Sequence, residues 1–289
     1  MKLIHRTITL LGIAVALGVP LAVHAQPSQT NPARPRPSLT KPTLPKNNSQ
    51  LGTKPDLSFL LPTVTAYLKN NLSQTESEMQ VRGTSPGSTF TINARLKVIA
   101  KHPNNFRAEI AFTQPGSASS NSYLVVANGT KTWIYSPSLK QYAVMSYADF
   151  QKSDDSFLIG LSSLFFLEAP QDVRSLVAQG KLSPQDFLTS VAASNDTSLK
   201  GGRRTVAGQQ YYVYEIKEPK EDYTLNVFVE PKTAKLDQLQ LTGKSEGLDV
   251  VVTEKIIRRI TNPVVSASTF SFTPPQGTKL VKSLPLNPF

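Results

Sequence analysis

The 289 residues carry 31 Lys and Arg against 20 Asp and Glu, a net charge of +11, with 39% apolar residues and no cysteine. That length, with a mean hydropathy of −0.21, suffices for one or two domains and a substantial core. Lack of cysteine excludes disulfides, thiol nucleophiles, thiolate metal sites and a lipid-attachment cysteine.

The first 25 residues read as an export signal peptide. Lys2 and Arg6 form a basic head, Ile8 to Val23 an apolar stretch, and Val23-His24-Ala25 a small-x-small cleavage site. Gly18 and Pro20 interrupt the apolar stretch, which is too short to favour a spanning helix; retention as an anchor is the alternative. Cleavage near Ala25 removes two basic residues and no acidic one, leaving +9. Outside the cytoplasm, such a charge suits anionic membrane surfaces or acidic proteins rather than nucleic acid. Residues 26–55, rich in Pro, Asn, Ser and Thr, read as a disordered linker. Residues 56–289 then form the folded domain.

Leu61, Val64, Leu68 and Leu72 keep helical spacing behind Pro62, which predicts a helix over 62–72. A strand over 76–82 follows. From Phe90 the even positions read Phe, Ile92, Ala94, Leu96, Val98 and Ala100; after His102-Pro103-Asn104-Asn105 the alternation resumes with Phe106, Ala108, Ile110 and Phe112. These are two long strands, each with one apolar face. Strands of that length coil, which predicts a strongly curved sheet. Three shorter strands, 123–127, 132–135 and 141–145, are separated by turns at Asn128-Gly129 and Ser136-Pro137.

Ser156 to Leu167, "SFLIGLSSLFFL", predicts a helix that is apolar almost all round, too short to span a bilayer. Helices over 172–179 and 184–192 follow, the second capped by Ser183. Strands resume after Asn195 at 209–217, 223–230, 236–241 and 248–260. The total is about ten strands, one leading helix and three internal helices.

Chemistry is hard to find. Outside the signal peptide the only histidine is His102, in a predicted turn, so no nucleophile–base pair and no transition-metal site is nominated. Asp154-Asp155 and Glu221-Asp222 read as capping and flanking carboxylates. There is no phosphate-binding glycine loop. Trp133, Tyr135 and Tyr142 suit either a ligand ring or packing against the sheet. The expectation is a protein without catalytic residues, cofactor or metal.

Four segments, "KHPNNFRAEI", "YLVVANGTKTWIYSPSLKQYA", "YTLNVFVEPKTAKLDQLQL" and "FSFTPPQGTKLV", follow one another within Pro62 to Val281. Their order and content resemble the LolA family of periplasmic lipoprotein carriers. The resemblance implies an α+β fold: an unclosed antiparallel β-barrel, or half-barrel, with a helical lid over an apolar cavity. Phe90, Ile92, Leu96, Val98, Phe106, Ile110, Phe112 and Trp133 would line the cavity. Phe157, Leu161, Leu164 and Phe165, at i, i+4, i+7 and i+8, would form the underside of the lid. His102 stands where the family has an arginine that latches the lid, and lacks its five-donor fork. The segment 172–193 is longer than the family's.

The implied function is a monomeric, noncatalytic carrier in the periplasm. It would bind acyl chains of lipoproteins or lipids, taken from an inner-membrane lipoprotein-releasing transporter and handed to an outer-membrane acceptor. The alternative is a lipid- or lipoprotein-sensing envelope-stress module of the same fold.

Overall fold

The computed structural model describes residues 51–52, 55–113, 121–191, 197–218, 223–245 and 248–286. The expected signal peptide and most of the expected linker lie outside them. Among the described residues no helix is long and apolar enough to cross a membrane.

Among the described residues twelve strands form one sheet: β1 (Leu72–Ser85), β2 (Ser88–Lys101), β3 (Asn105–Thr113), β4 (Ser122–Asn128), β5 (Lys131–Ser136), β6 (Gln141–Ser146), β7 (Ser198–Val206), β8 (Gln209–Glu218), β9 (Tyr223–Glu230), β10 (Lys235–Ser245), β11 (Leu248–Thr261) and β12 (Lys279–Leu280). Their spatial order is β12-β6-β5-β4-β3-β2-β1-β11-β10-β9-β8-β7. Every neighbouring pair is antiparallel except β12 with β6. The two ends of that order, β12 and β7, do not pair with each other, so the sheet is an unclosed barrel.

The helices are α1 (Leu60–Leu68), α2 (Tyr147–Lys152), α3 (Leu161–Glu168), α4 (Gln171–Ala178) and α5 (Pro184–Val191), with a 3-10 turn at Ser156–Ile159. β1 is far longer than predicted; at its start Ser73 and Thr75 continue its buried face without an apolar signal. α2 went unpredicted; its cap is local, with Asp149 N donating to Ser146 Oγ at 3.0 Å. The segment "LKGGRRTV" is the body of edge strand β7, and Gly52 in the expected linker bridges to Gly201 there, N to O at 3.0 and 3.1 Å.

One contiguous core joins the inner face of the sheet to the helices. α1 is anchored over the β8–β10 half: Tyr212 and Tyr214 hydroxyls accept Asp56 N at 2.8 Å and Leu60 N at 3.1 Å, and Thr63 Oγ1 donates to Ala234 O at 2.6 Å. α3 lies over β2 on the other half of the sheet.

A β-bulge sets what the lid end of the barrel contains. Glu76 pairs with Arg258 and Ser77 with Ile256, so Ile257 is an extra residue in β11. Inward positions on β11 are even up to the bulge, with Val250, Val252 and Glu254 buried. Beyond it the phase flips, because one inserted residue reverses the alternation. Arg259 therefore faces inward, opposite buried Thr75.

Candidate ligand cavity and its lid

Leu96 and Val98 on β2, with Phe106, Ile110 and Phe112 on β3, are buried on the inner face and share one cluster with Phe157, Leu161 and Leu164. Ile92 packs at the margin of that cluster. Phe90 lies beyond it, near the hairpin tip. A Cβ on Gly83 would meet the Phe90 ring at 2.2 Å, so that ring fills the place of a missing side chain.

Trp133 is not on the inner face. Its neighbours Thr132 and Ile134 point inward and are buried, so alternation turns Trp133 outward. There Trp133, Tyr135 and Tyr142 surround Phe272 of the C-terminal segment, with centroids 6.5, 5.7 and 5.8 Å away. The aromatic cluster is packing for the "FTPPQG" landmark. A groove of about 850 Å³ also lies on this outer face, edged by the ion pairs Arg95–Glu78 at 3.6 Å and Arg107–Glu109 at 3.9 Å.

The expected single lid helix is two pieces. Gly160, with φ +97°, ends the 3-10 turn and starts α3. A Cβ there would stand 2.7 Å from Glu254 Oε1, so both conformation and space demand glycine. The break resets the helical phase, and the predicted face shifts. Phe165 is half-buried, while Phe166 and Leu167 are buried at 1% exposure. α3 is covered above as well as below: Tyr67 of α1 contacts the rings of Phe165 at 5.8 Å and Phe166 at 6.4 Å. The lid is therefore a middle layer, with sheet beneath it and α1 beside α4 above.

Polar groups hold both ends of α3. At its N-terminus the fully buried Glu254 carboxylate accepts Ser162 N at 2.7 Å, Ser162 Oγ at 2.8 Å and Ser77 Oγ at 2.8 Å. Those bonds satisfy donors that a helix start leaves open and place negative charge at the positive end of the dipole. Burial still pushes the Glu254 carboxyl above the usual carboxylate range, although hydrogen bonds from Ser162 and Ser77 pull it back.

At the C-terminus His102 Nδ1 lies 3.0 Å from Leu167 O, which can only accept, so Nδ1 carries the proton. Arg174 Nη2 donates to the preceding carbonyl, Phe166 O. This end of α3 is thus held from both the β2–β3 turn and α4. Burial first, and then the Arg174 charge, hold the His102 imidazole below its ordinary value.

Arg174 and Arg259 are the least satisfied groups in this region. Arg174, 4% exposed, also reaches Leu68 O and Asn70 O at 3.4 Å; burial lowers its guanidinium to about 10. Arg259 Nη2 donates to Tyr67 O at 2.8 Å, and its guanidinium lies 3.2 Å from the Tyr67 ring centroid. Arg174 Nε, Arg259 Nε and Arg259 Nη1 are buried with no hydrogen-bond partner. Each such donor costs about 1–3 kcal/mol. Among the described residues neither arginine forms an ion pair.

Of these polar groups the sequence nominated only His102. Glu254 carried a readable signal, a carboxylate in the buried phase of "VVVTE". Arg259 carried none, because the bulge reverses its phase. Arg174 sits on a short helix whose packing partners are remote in sequence.

No family model matches the chain, and no curated protein does. Among solved structures it is similar to LprF from Mycobacterium bovis, 10% identical, TM-score 0.37, over 78% of this chain and 99% of that one. It is similar to an outer membrane lipoprotein-sorting protein domain from Vibrio parahaemolyticus, 11% identical, TM-score 0.33, over 74% and 95%. It is also similar to the LolA superfamily protein NE2245 from Nitrosomonas europaea, 12% identical, TM-score 0.29, over 74% and 98%. These are likenesses of fold.

Proposed function

We propose that the chain is a noncatalytic periplasmic carrier, exported by cleavage near Ala25, that binds acyl chains of lipoproteins or other lipids on the face now covered by α3. One observation carries this reading: a helix that buries Leu161, Leu164, Phe166 and Leu167 fills the concave face of an open barrel, and its two ends are fastened by polar side chains, Glu254 accepting at the start and His102 and Arg174 donating at the end. Such a helix is a removable part of the core. Leu96, Val98, Phe106, Ile110 and Phe112 would then contact cargo, with Phe157, Leu161 and Leu164 moving aside.

Magnitudes favour a lid that competes with cargo. At about 0.8 kcal/mol per buried methylene, one long acyl chain contributes roughly 12 kcal/mol. Three such chains would exceed the practical limit of noncovalent affinity, near ~20 kcal/mol. A carrier that released no compensating contact on loading could not deliver. The self-packed lid offsets part of that gain, giving a closed empty state and an open loaded one. A transporter that releases lipoproteins would act as donor and an outer-membrane protein as acceptor.

Native mass spectrometry with lipid extraction, on protein purified from the periplasm, tests the reading. Bound acyl species that are lost in Leu96→Glu and Leu161→Glu are expected. An unliganded mass that ignores added lipopeptide would overturn it. Binding without transfer between vesicles would identify a sensor instead.

A further inference from the structure

Two cations stand where the lid ends, Arg174 buried and Arg259 half-buried with its Nε and Nη1 covered, and among the described residues neither has a counter-ion. Arg174 of α4 and Arg259 of β11 both lie over the Phe166 ring, 4.7 and 5.5 Å from its centroid. Their bonded partners are backbone carbonyls only: Phe166 at the end of α3, and Tyr67, Leu68 and Asn70 around the end of α1. Helix C-termini offer partial negative charge, about half an elementary charge each, against two full positive ones. Glu254, the buried carboxylate on the same strand as Arg259, is occupied by Ser162 and Ser77. Arg174 Nε, Arg259 Nε and Arg259 Nη1 remain as unused donors with almost no accessible surface.

Withdrawal of α3 changes this place as much as it changes the apolar face. Phe166 leaves the space beside the two guanidiniums, and Arg174 Nη2 loses Phe166 O. One freed donor then joins three unused ones, all on planar groups suited to several oxygens of one anion. Arg259 faces inward only because of the bulge at Ile257, which brings it onto the same face as the acyl-binding residues.

We propose that Arg174 and Arg259 form a phosphate-binding site, uncovered when α3 withdraws, that takes the phosphorylated headgroup of an amphiphile whose chains lie on the inner face of the barrel. The proposal rests on the carrier reading for the chains but not for the anion. In the closed state Phe166 O and the ring stand in for the ligand, so empty protein keeps Arg174 Nε, Arg259 Nε and Arg259 Nη1 covered. Loading replaces a carbonyl with a full negative charge. Cargo with a phosphorylated head would therefore be preferred over neutral cargo of the same chain length.

The test uses the full chain after signal cleavage and three probes below their micelle-forming concentrations: dodecyl phosphate, dodecyl maltoside and inorganic phosphate. Calorimetric titration is expected to show dodecyl phosphate binding roughly tenfold or more tighter than dodecyl maltoside, the size of a charge-assisted hydrogen-bond pair. In Arg259→Gln the ratio of the two affinities should fall towards one, and Arg259→Lys should retain part of it. Raising salt on the unmodified protein, which needs no variant to fold, should weaken dodecyl phosphate binding more than dodecyl maltoside binding.

Equal affinities for the two amphiphiles, or a ratio unchanged in Arg259→Gln, would overturn the site while leaving the carrier reading intact. Inorganic phosphate binding as tightly as dodecyl phosphate would overturn the headgroup assignment in favour of a free anion. If neither amphiphile binds, the carrier reading fails; phosphate binding that disappears in Arg259→Gln would then keep the anion site, and no phosphate binding would remove it.

Discussion

Glu254 on β11 and Ser162 in the first turn of α3 are 92 residues apart in sequence and joined by two hydrogen bonds, one from the backbone N–H at 2.7 Å and one from the hydroxyl at 2.8 Å. A strand of the barrel thereby caps the helix that fills it. Glu254→Ala would leave the Ser162 N–H and two hydroxyls buried without their acceptor. We expect a loss of about 3 kcal/mol in urea unfolding, the scale for removing one partner of a buried charged network. Hydrogen exchange should localise the first loss of protection to residues 161–164. A uniform loss across the sheet would mean that the contact serves global stability rather than the lid.

Gly160 separates conformational strain from space. Gly87 has a similar φ, +85°, with nothing within 4 Å of a built Cβ, whereas a Cβ on Gly160 would meet Glu254 Oε1 at 2.7 Å. Gly87→Ala is expected to cost about 1 kcal/mol, from the left-handed conformation alone. Gly160→Ala should cost at least ~2 kcal/mol more, because the carboxylate must shift and its bonds to Ser162 stretch. Equal losses from the two substitutions would show that Glu254 can move freely.

His102 and Glu254 give opposite pH dependences. The folded His102 is held below its ordinary 6.5, so as pH falls past that value the unfolded chain takes up a proton first and stability drops. Glu254 is raised from 4.5; above that pH the unfolded chain ionises first, and stability falls as pH rises towards the folded value. His102→Asn keeps a donor for Leu167 O without a titrating ring. It should flatten the acid limb of the stability profile below about pH 6.5 while leaving the Glu254 limb. A profile identical to that of the unmodified protein would assign the acid limb to other groups.

Lid packing and cargo binding should trade against each other. Leu164, 3% exposed, packs within the core. Leu164→Ala is expected to lose about 2–5 kcal/mol of stability. If the lid competes with cargo, affinity for dodecyl maltoside should rise by up to about tenfold for each ~1.4 kcal/mol of weakened lid packing. Reduced affinity in that variant would mean that Leu164 is itself a cargo contact.

The strands of the cavity wall were readable because their signal is local. Alternation in "FTINARLKVIA" and "FRAEIAF" names one face of β2 and β3, and a strand has only two faces to choose between. The same rule places Trp133 outside once Thr132 and Ile134 are known to face in. It could not be applied from sequence, since threonine beside tryptophan gives no indication of which is buried. The lid misled for a related reason: a helix apolar on every side has no face to read, and Gly160 reset its phase.

By itself the sequence determined a chain without thiol chemistry, long two-faced strands, and a helix too apolar to lie at a surface. Those follow from composition and from periods of two and of about four residues. Tertiary structure alone decided which polar groups meet the lid. Glu254, Arg174 and His102 converge on α3 from a strand, a helix and a turn, and Arg259 turns inward only because of one inserted residue, Ile257, on β11. Burial of a charge is settled by what surrounds it in space, and those surroundings come from segments tens to hundreds of residues apart.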